Sequence, residues 1–227
     1  MEGVLKPSDR RLNAITRLVP RCACAADVGT DHGKIGVQLL LSGRCDRVIF
    51  SDISAPSLEK AIKLVKTKGV ADKALFCVTD GLEGLPQPVD SIVIAGMGGL
   101  NIRDIIIRGR GLAGNARLVL QPNTEHAGLR RYLSENGFRI CDERVAREGD
   151  RFYVIICAES GGSRLDECEL LAGPILLKSK DAEVRDYFRC KLETAEKLIR
   201  EVENAGALEN ASALIRERAI WKKALSE

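Results

Sequence analysis

The chain of 227 residues reads as an α/β protein built on a doubly wound parallel sheet, and three observations carry that reading. Through residue 137, short apolar runs alternate with stretches of helical periodicity, the rhythm of strands joined by crossover helices. After residue 137 the rhythm changes to two strands separated by a short charged turn, which leaves no room for a crossover helix and closes as an antiparallel hairpin. The composition, 45% hydrophobic and 30% charged, is enough for one well-packed domain of about 150 residues with an appendage.

Taken in order, MEGVLKPSDRRLNAI at the start has the pattern of an amphipathic helix rather than a signal peptide. Strands read at 24–28, 48–52, 74–79, 91–95 and 116–121. Helices read from Lys34 to Ser42, Pro56 to Lys68, Gly99 to Arg108 and Glu125 to Asn136, with Gly43, Gly69 and Gly137 as stop residues. Leu58, Ile62 and Val65 predict the buried stripe of the second of these helices. The hairpin strands read at 138–145 and 151–158, and residues 161–180 read as a linker. From Asp181 the chain turns highly charged, with Val184, Phe188, Leu192, Ala195, Ile199 and Val202 spaced for one helical face. Asn204, Ala205 and Gly206 break that helix, and Leu214, Ile215, Trp221 and Leu225 mark a second one, so residues 181–227 predict an antiparallel α-hairpin or coiled coil. The expected organisation is a domain over 1–160, a linker over 161–180 and a helical arm over 181–227.

Several classes are disfavoured by composition. No apolar run approaches the roughly 20 residues that span a bilayer. The eight cysteines are scattered without a C-x-x-C, and Cys24, Cys77 and Cys157 fall in apolar strand-like runs, so buried free thiols in a reducing cytoplasm are expected. Cys22 and Cys24 form a C-x-C, but Cys24 belongs to the first core strand, and no metal site is expected. A net charge of +3 is too small to argue for nucleic acid by itself. Its distribution says more, since Arg10, Arg11, Arg17 and Arg21 cluster before the first strand and Arg103, Arg108, Arg110 and Arg117 after the fourth.

The most informative stretch is AADVGTDHGKIG, residues 25 to 36, in which an apolar strand ends in an acid, a glycine turn and a helix start. Gly29 supplies a turn without a Cβ, Gly33 permits close approach, and backbone N–H groups can face an anionic ligand group. An acid before the first glycine suits a cofactor carrying positive charge better than a pyrophosphate. S-adenosylmethionine, with its sulfonium and α-ammonium, is the commonest such cofactor. In doubly wound sheets the ligand lies outside the carboxyl ends of the strands, so strand-end residues should carry function. Asp52 closes the second strand 25 positions after Asp27, near the offset at which an acid accepts ribose hydroxyls. Asp80, in TDGL, closes the third, where it can accept from an adenine amino group while Gly81 leaves room for the ring. Thr30, Ile53, Ala95 and Gly96 sit on the same strand ends and complete the expected cofactor set. The fourth strand runs into IAGMGG, residues 94–99, and the fifth into LQPN, residues 120–123.

A five-stranded doubly wound sheet finished by a hairpin resembles the architecture of class I S-adenosylmethionine-dependent methyltransferases. The strings GTDHG, IAGMGG and LQPN and their spacing are similar to those of the bacterial tRNA (adenine-22-N1)-methyltransferase family. RRLNAI and AGPILL, residues 172–177, resemble further segments of that family, so the likeness covers essentially the whole chain. One departure is Gly36, where family members often carry proline. The resemblance implies a cytoplasmic enzyme that moves a methyl group from S-adenosylmethionine to N1 of an adenine in tRNA, with the helical arm engaging the tRNA. A monomer or homodimer is expected, with no obligate protein partner.

Adenine N1 has an in-plane lone pair and attacks a sulfonium methyl without prior deprotonation, so positioning is the main task. Gly96, Met97, Gly98 and Gly99 offer backbone groups and a flexible thioether to a ring nitrogen; the same glycines also suit a plain strand-to-helix turn. Gln121 and Asn123 are candidates for a base edge. Asp31 and His32 stand at the mouth of the first crossover helix: His32 suits base or phosphate binding, and Asp31 suits acceptance of the N6 proton or a simple helix cap. His126 reads as a surface residue. Arg11 is the candidate for the cofactor carboxylate, because a guanidinium fork matches it. Two other readings stay open: a methyltransferase of the same fold acting on another RNA base, a protein or a small molecule, and a non-catalytic RNA-binding scaffold that keeps a cofactor pocket.

Overall fold

The computed structural model describes residues 9–205 and 211–226. Met1 to Ser8 of the expected N-terminal helix and Gly206 of the expected helix break lie outside those residues. Seven strands, β1 (Cys22–Val28), β2 (Cys45–Asp52), β3 (Ala74–Val78), β4 (Ser91–Met97), β5 (Arg117–Pro122), β6 (Phe138–Glu148) and β7 (Arg151–Ser160), form one sheet. Their order is β3-β2-β1-β4-β5-β7-β6. The first five pair in parallel, and β7 is antiparallel to both β5 and β6. The order reverses beside β1 and β4, which places a crevice at the carboxyl ends of those two strands.

Neighbouring strand residues alternate between the two faces, which is why both faces of the central strands are apolar. On one side Ala25, Val48, Phe50, Val93, Val119 and Ile155 pack beneath α1 (Arg10–Leu18), α2 (Lys34–Leu41) and α3 (Ala55–Thr67). On the other, Ala26, Ile49, Ile92, Ile94, Leu118 and Ile156 share a core with α4 (Gly99–Arg108) and α6 (His126–Glu135), while the short α5 (Arg110–Ala113) adds Ala113. The buried stripe of α3 is Leu58, Ala61 and Val65 rather than Leu58, Ile62 and Val65, with Ile62 half-buried. Gly43, Gly69 and Gly137 take the left-handed conformation at φ 63°, 68° and 75°, ending α2, α3 and α6 as their positions predict.

Residues 161–180, expected as a linker, hold a packed segment instead. Asp166 and Glu169 form a reciprocal capping box that starts α7 (Glu167–Ala172), and a short 3-10 turn follows at Leu176–Lys178. An ion pair fastens this segment to the sheet: Arg130 of α6 and Glu143 of β6 meet at 2.8 Å with neither side chain exposed. Arg130 Nη1 also donates to the carbonyls of Leu170 and Leu171, both at 3.0 Å, and Glu143 Oε2 accepts from the Ile175 N–H at 3.0 Å. Gly173 permits the approach, since a Cβ there would lie 2.6 Å from Glu143 Oε2.

The arm comprises α8 (Ala182–Asn204) and α9 (Ser212–Ser226), which run antiparallel. Arg185 at the start of α8 donates to the Leu225 carbonyl at the end of α9, and Lys222 faces Glu196. Tyr187, Phe188 and Trp221 form an aromatic cluster that reaches Phe152 of β7 and belongs to the main core. Tyr187 is a core position that the helical spacing did not single out.

All eight cysteines are free thiols. Cys24 and Cys157 are buried, whereas Cys77 is half-buried because β3 is an edge strand. Cys22 and Cys45 are register partners across β1 and β2, with their sulfurs 3.0 Å apart. Among the described residues, no group of histidines, cysteines and acids has metal-ligand geometry, and no helix is long and apolar enough to cross a membrane.

Candidate functional site

The turn between β1 and α2 is built around Asp27, which is 3% exposed. Its Oδ2 accepts from Thr30 Oγ1 at 2.6 Å and from the Gly36 N–H at 2.9 Å, so the carboxylate ties the first helical turn back to the strand end. The N–H groups of Gly29 and Thr30 donate to the Ser51 carbonyl of β2. Gly29 and Gly33 both take positive φ, 70° and 68°, the conformation that favours glycine. Gly36 has a specific role: a proline there would lack the N–H that Asp27 accepts, and a Cβ would stand 2.3 Å from the Phe50 ring. Burial pushes the Asp27 carboxyl up to about 6, with the Asp52 charge adding to the rise and the Thr30 and Gly36 bonds opposing it.

Beside this turn lies a cavity of about 360 Å³, walled by Arg11 and Leu12 of α1, Asp27, Thr30, Ala95 and Glu148. Arg11 crosses it. The guanidinium sits 5.1 Å from the centre of the Tyr153 ring, and Nη2 lies close over Gly96, where a Cβ would be 3.1 Å away. Arg11 Nε is buried and has no hydrogen-bond partner, an unmet donor beside a cavity. Asp31 and His32 stand at the rim, both exposed, with Asp31 Oδ1 3.5 Å from His32 Nδ1 and 3.3 Å from Lys60 Nζ.

Along the next two strand ends, Asp52 is half-buried, and its Oδ1 accepts from the Ser54 N–H at 2.8 Å. Val78 is the register partner of Asp52, and Ile53 follows it; they are 61% and 71% exposed, a pair of open apolar surfaces beside the carboxylate. Asp80 is exposed and bound by Arg108 at 2.8 Å. Gly81 takes φ 78°, and a Cβ there would crowd Ile105 at 3.3 Å.

IAGMGG and LQPN, read separately in the sequence, form one structure. A bulge at the end of β4 places Gly96 at φ 80°, and the Asn123 N–H donates to the Met97 carbonyl, Asn123 Nδ2 to the Gly96 carbonyl and the Gly99 N–H to the Thr124 carbonyl. Gly98 is the N-cap of α4, and Gly99 must be a glycine because a Cβ would lie 2.6 Å from the Thr124 oxygen. Met97 is half-buried and lies over Gly29, its Cε only 1.9 Å from where a Cβ would be, so it bridges the loop after β4 and the turn after β1. Gln121 departs from its expected placement: it is fully buried, donating to the Pro122 carbonyl and to Asn123 Oδ1, and so orients Asn123 rather than facing a base. His126 is likewise half-buried rather than on the surface, and desolvation followed by the Arg130 and Lys191 charges lowers it to about 4, leaving it neutral. Gln121 is buried because it still belongs to β5, and His126 is covered because it opens α6 near Arg130 and Lys191.

Sequence reading missed Glu148, Tyr153, Lys60, Val78 and Arg108. Glu148 and Tyr153 reach the site from the hairpin, far along the chain, where only their nearness to its turn offered a signal; Lys60 and Arg108 come from α3 and α4, and Val78 stands two residues before Asp80.

The methyltransferase-domain family matches residues 8–156. The tRNA (adenine(22)-N(1))-methyltransferase of Bacillus subtilis is 28% identical over 226 residues, 96% of this chain and 95% of that one. The crystal structure of the Bacillus subtilis m1A22 tRNA methyltransferase superposes with a TM-score of 0.82 at 26% identity, over 98% of this chain and 100% of that one. A candidate tRNA (m1A22) methyltransferase of Streptococcus pneumoniae, solved with S-adenosyl-L-methionine, gives 0.85 at 29% identity over 96% and 99%.

Proposed function

Because the chain belongs to the methyltransferase-domain family and, within it, to the tRNA (adenine-22-N1)-methyltransferases, we propose that it methylates N1 of adenine 22 in tRNA with S-adenosylmethionine. The observation that carries this reading is a cavity lined by both the Arg11 guanidinium and the buried Asp27 carboxyl, two groups of opposite charge suited to an amino-acid zwitterion. When bound, S-adenosylmethionine supplies an electrophilic methyl group on a sulfonium.

The residues of the chain then have distinct tasks. Arg11 binds the carboxylate. Asp27 holds the turn through Thr30 and Gly36 and favours a cation nearby. Asp52 accepts the ribose hydroxyls between the apolar surfaces of Ile53 and Val78, and Asp80, steadied by Arg108, accepts from the adenine amino group. Gly29, Gly33, Ala95 and Gly96 supply close backbone approach, and Gly81 leaves space for the ring. On the substrate side, Met97 and Asn123 face the target base, with Gln121, Gly98 and Gly99 shaping the loop that carries them. His32 binds base or phosphate. Asp31 takes the N6 proton once methylation has made the ring cationic. Residues 1–160 form the domain that carries the reaction, and the arm at 181–227 engages the RNA.

Nucleoside mass analysis of tRNA incubated with the protein and S-adenosylmethionine should show 1-methyladenosine, and a tRNA with guanine at position 22 should remain unmodified. Modification elsewhere, or none with a bound cofactor, overturns the assignment. Asp52→Ala should weaken S-adenosylhomocysteine by about 1–3 kcal/mol through lost charge-assisted bonds, measured by calorimetry. Unchanged affinity in a folded variant would remove Asp52 from the site.

Affinity should also depend on pH. Folded Asp27 keeps its proton until about pH 6, above the 3.8 of an ordinary carboxyl, so its contribution to stability is fully present at low pH and declines as pH rises through that window. A cationic ligand group favours the ionised form. S-adenosylhomocysteine should therefore bind more tightly as pH rises from 5 to 7, by up to about tenfold, the equivalent of 1.4 kcal/mol. Asp27→Asn should flatten the profile; an unchanged slope would place the titration elsewhere.

A further inference from the structure

We infer that Glu148 and Tyr153, on the β6–β7 hairpin, are positioning residues that hold Arg11 in the one orientation in which it can take the cofactor carboxylate. The inference rests on the reading just given and assigns to the hairpin a role in cofactor selection.

α1 begins without a side-chain cap of its own, because Asp9 at its N-cap position makes no such hydrogen bond. The Arg11 N–H, one of the unpaired donors of the first helical turn, is instead accepted by Glu148 Oε1 at 2.9 Å. A carboxylate there also complements the positive end of the helix dipole. Glu148 thus fixes the main chain of Arg11, and Tyr153 fixes its side chain by stacking under the guanidinium. The two residues approach Arg11 from adjacent strands of one hairpin, and Glu148 itself lines the cavity. No ion pair links Glu148 to the Arg11 guanidinium among the described residues, so the guanidinium charge is steered by an aromatic face and stays available for an anion. A carboxylate partner on the side chain would have neutralised it. Long cationic side chains lose conformational freedom on binding, and an arginine already held loses less.

The test compares two ligands, S-adenosylhomocysteine, which carries the carboxylate and ammonium, and 5′-methylthioadenosine, which has neither. Calorimetry on the full chain gives the ratio of their affinities. Arg11→Ala should collapse most of that ratio. Glu148→Ala and Tyr153→Leu should each reduce it by about five- to thirtyfold, as expected when an interaction with a charged group is misplaced, while binding of 5′-methylthioadenosine stays nearly unchanged. Glu148→Gln, which keeps an acceptor for the Arg11 N–H, and Tyr153→Phe, which keeps the ring, should retain most of the ratio. If the alanine and leucine variants weaken both ligands alike, the two residues support the fold and nothing more. If neither ligand responds, Arg11 is positioned without them. Failure of the unsubstituted protein to bind S-adenosylhomocysteine would instead overturn the proposed function. Should Glu148→Ala unfold, shown by a lost cooperative melt, the Tyr153→Leu and Tyr153→Phe pair decides the matter, since neither changes a charge or touches the cap.

Discussion

Glu143→Ala should lower the free energy of unfolding by about 3–5 kcal/mol, because it leaves the Arg130 charge buried without its partner. That is a large part of the 5–15 kcal/mol typical of a domain. The loss would not be confined to one pair. Glu143 Oε2 also holds the Ile175 N–H, and Arg130 holds the Leu170 and Leu171 carbonyls, so the pair supplies hydrogen bonds to three main-chain groups of the α7 segment. For the same reason, replacing both residues by apolar ones should recover only part of the loss, since each orphaned buried main-chain group costs about 1–3 kcal/mol. Urea denaturation monitored by tryptophan fluorescence suits the measurement, because Trp221 is 3% exposed within the core that this segment joins. A change below about 1 kcal/mol would mean that the segment finds other partners.

Gly33→Val should abolish measurable cofactor binding. Gly33 takes φ 68° as the N-cap of α2, and its missing Cβ would lie 2.8 Å from Ala61 Cβ and 3.0 Å from Ala61 Cα in α3. A left-handed residue with a side chain costs about 1–2 kcal/mol, more when β-branched. Overpacking against main chain adds about 1–3 kcal/mol. Relief requires α2 to move away from α3, which displaces Thr30 and Gly36 from Asp27 and opens the turn. Binding of S-adenosylhomocysteine and the thermal midpoint should fall together; a folded variant with ordinary affinity would show that the turn tolerates the shift.

The legible parts of this protein were those set by local rules. Apolar runs bounded by glycine gave all seven strands within a few residues, and Gly43, Gly69 and Gly137 marked helix ends because each needs a positive φ. Asp27, Asp52 and Asp80 were readable as strand-end acids, since a parallel sheet sends its functional residues to one edge. Contacts between distant positions were not. Glu148 is 137 residues from Arg11, and nothing near Glu148 in the chain announces the helix start it caps. Arg130 and Glu143 read as ordinary charged positions on a helix and a strand; their burial depends on the α7 segment folding over them. The D-E-C-E string at 166–169 did carry a capping-box signature, which the linker reading passed over. Gln121 and His126 sit elsewhere than their sequence context suggests because Gln121 still belongs to β5, and His126 opens α6 beside Arg130 and Lys191 rather than in an outward loop.

The wall of the cavity joins the start of the domain to its end, and this has a consequence in time. Arg11 leaves the ribosome early, while Glu148 and Tyr153 are added more than a hundred residues later. At about 5–20 residues per second, the interval between Arg11 and Glu148 lasts about 7–27 seconds. Throughout it the nascent chain can carry the glycine turn and its acids without the hairpin proposed to orient Arg11. On the proposed role of Arg11, selection for the cofactor carboxylate therefore belongs to the finished domain, and chains stalled in the parallel strands should not discriminate S-adenosylhomocysteine from 5′-methylthioadenosine.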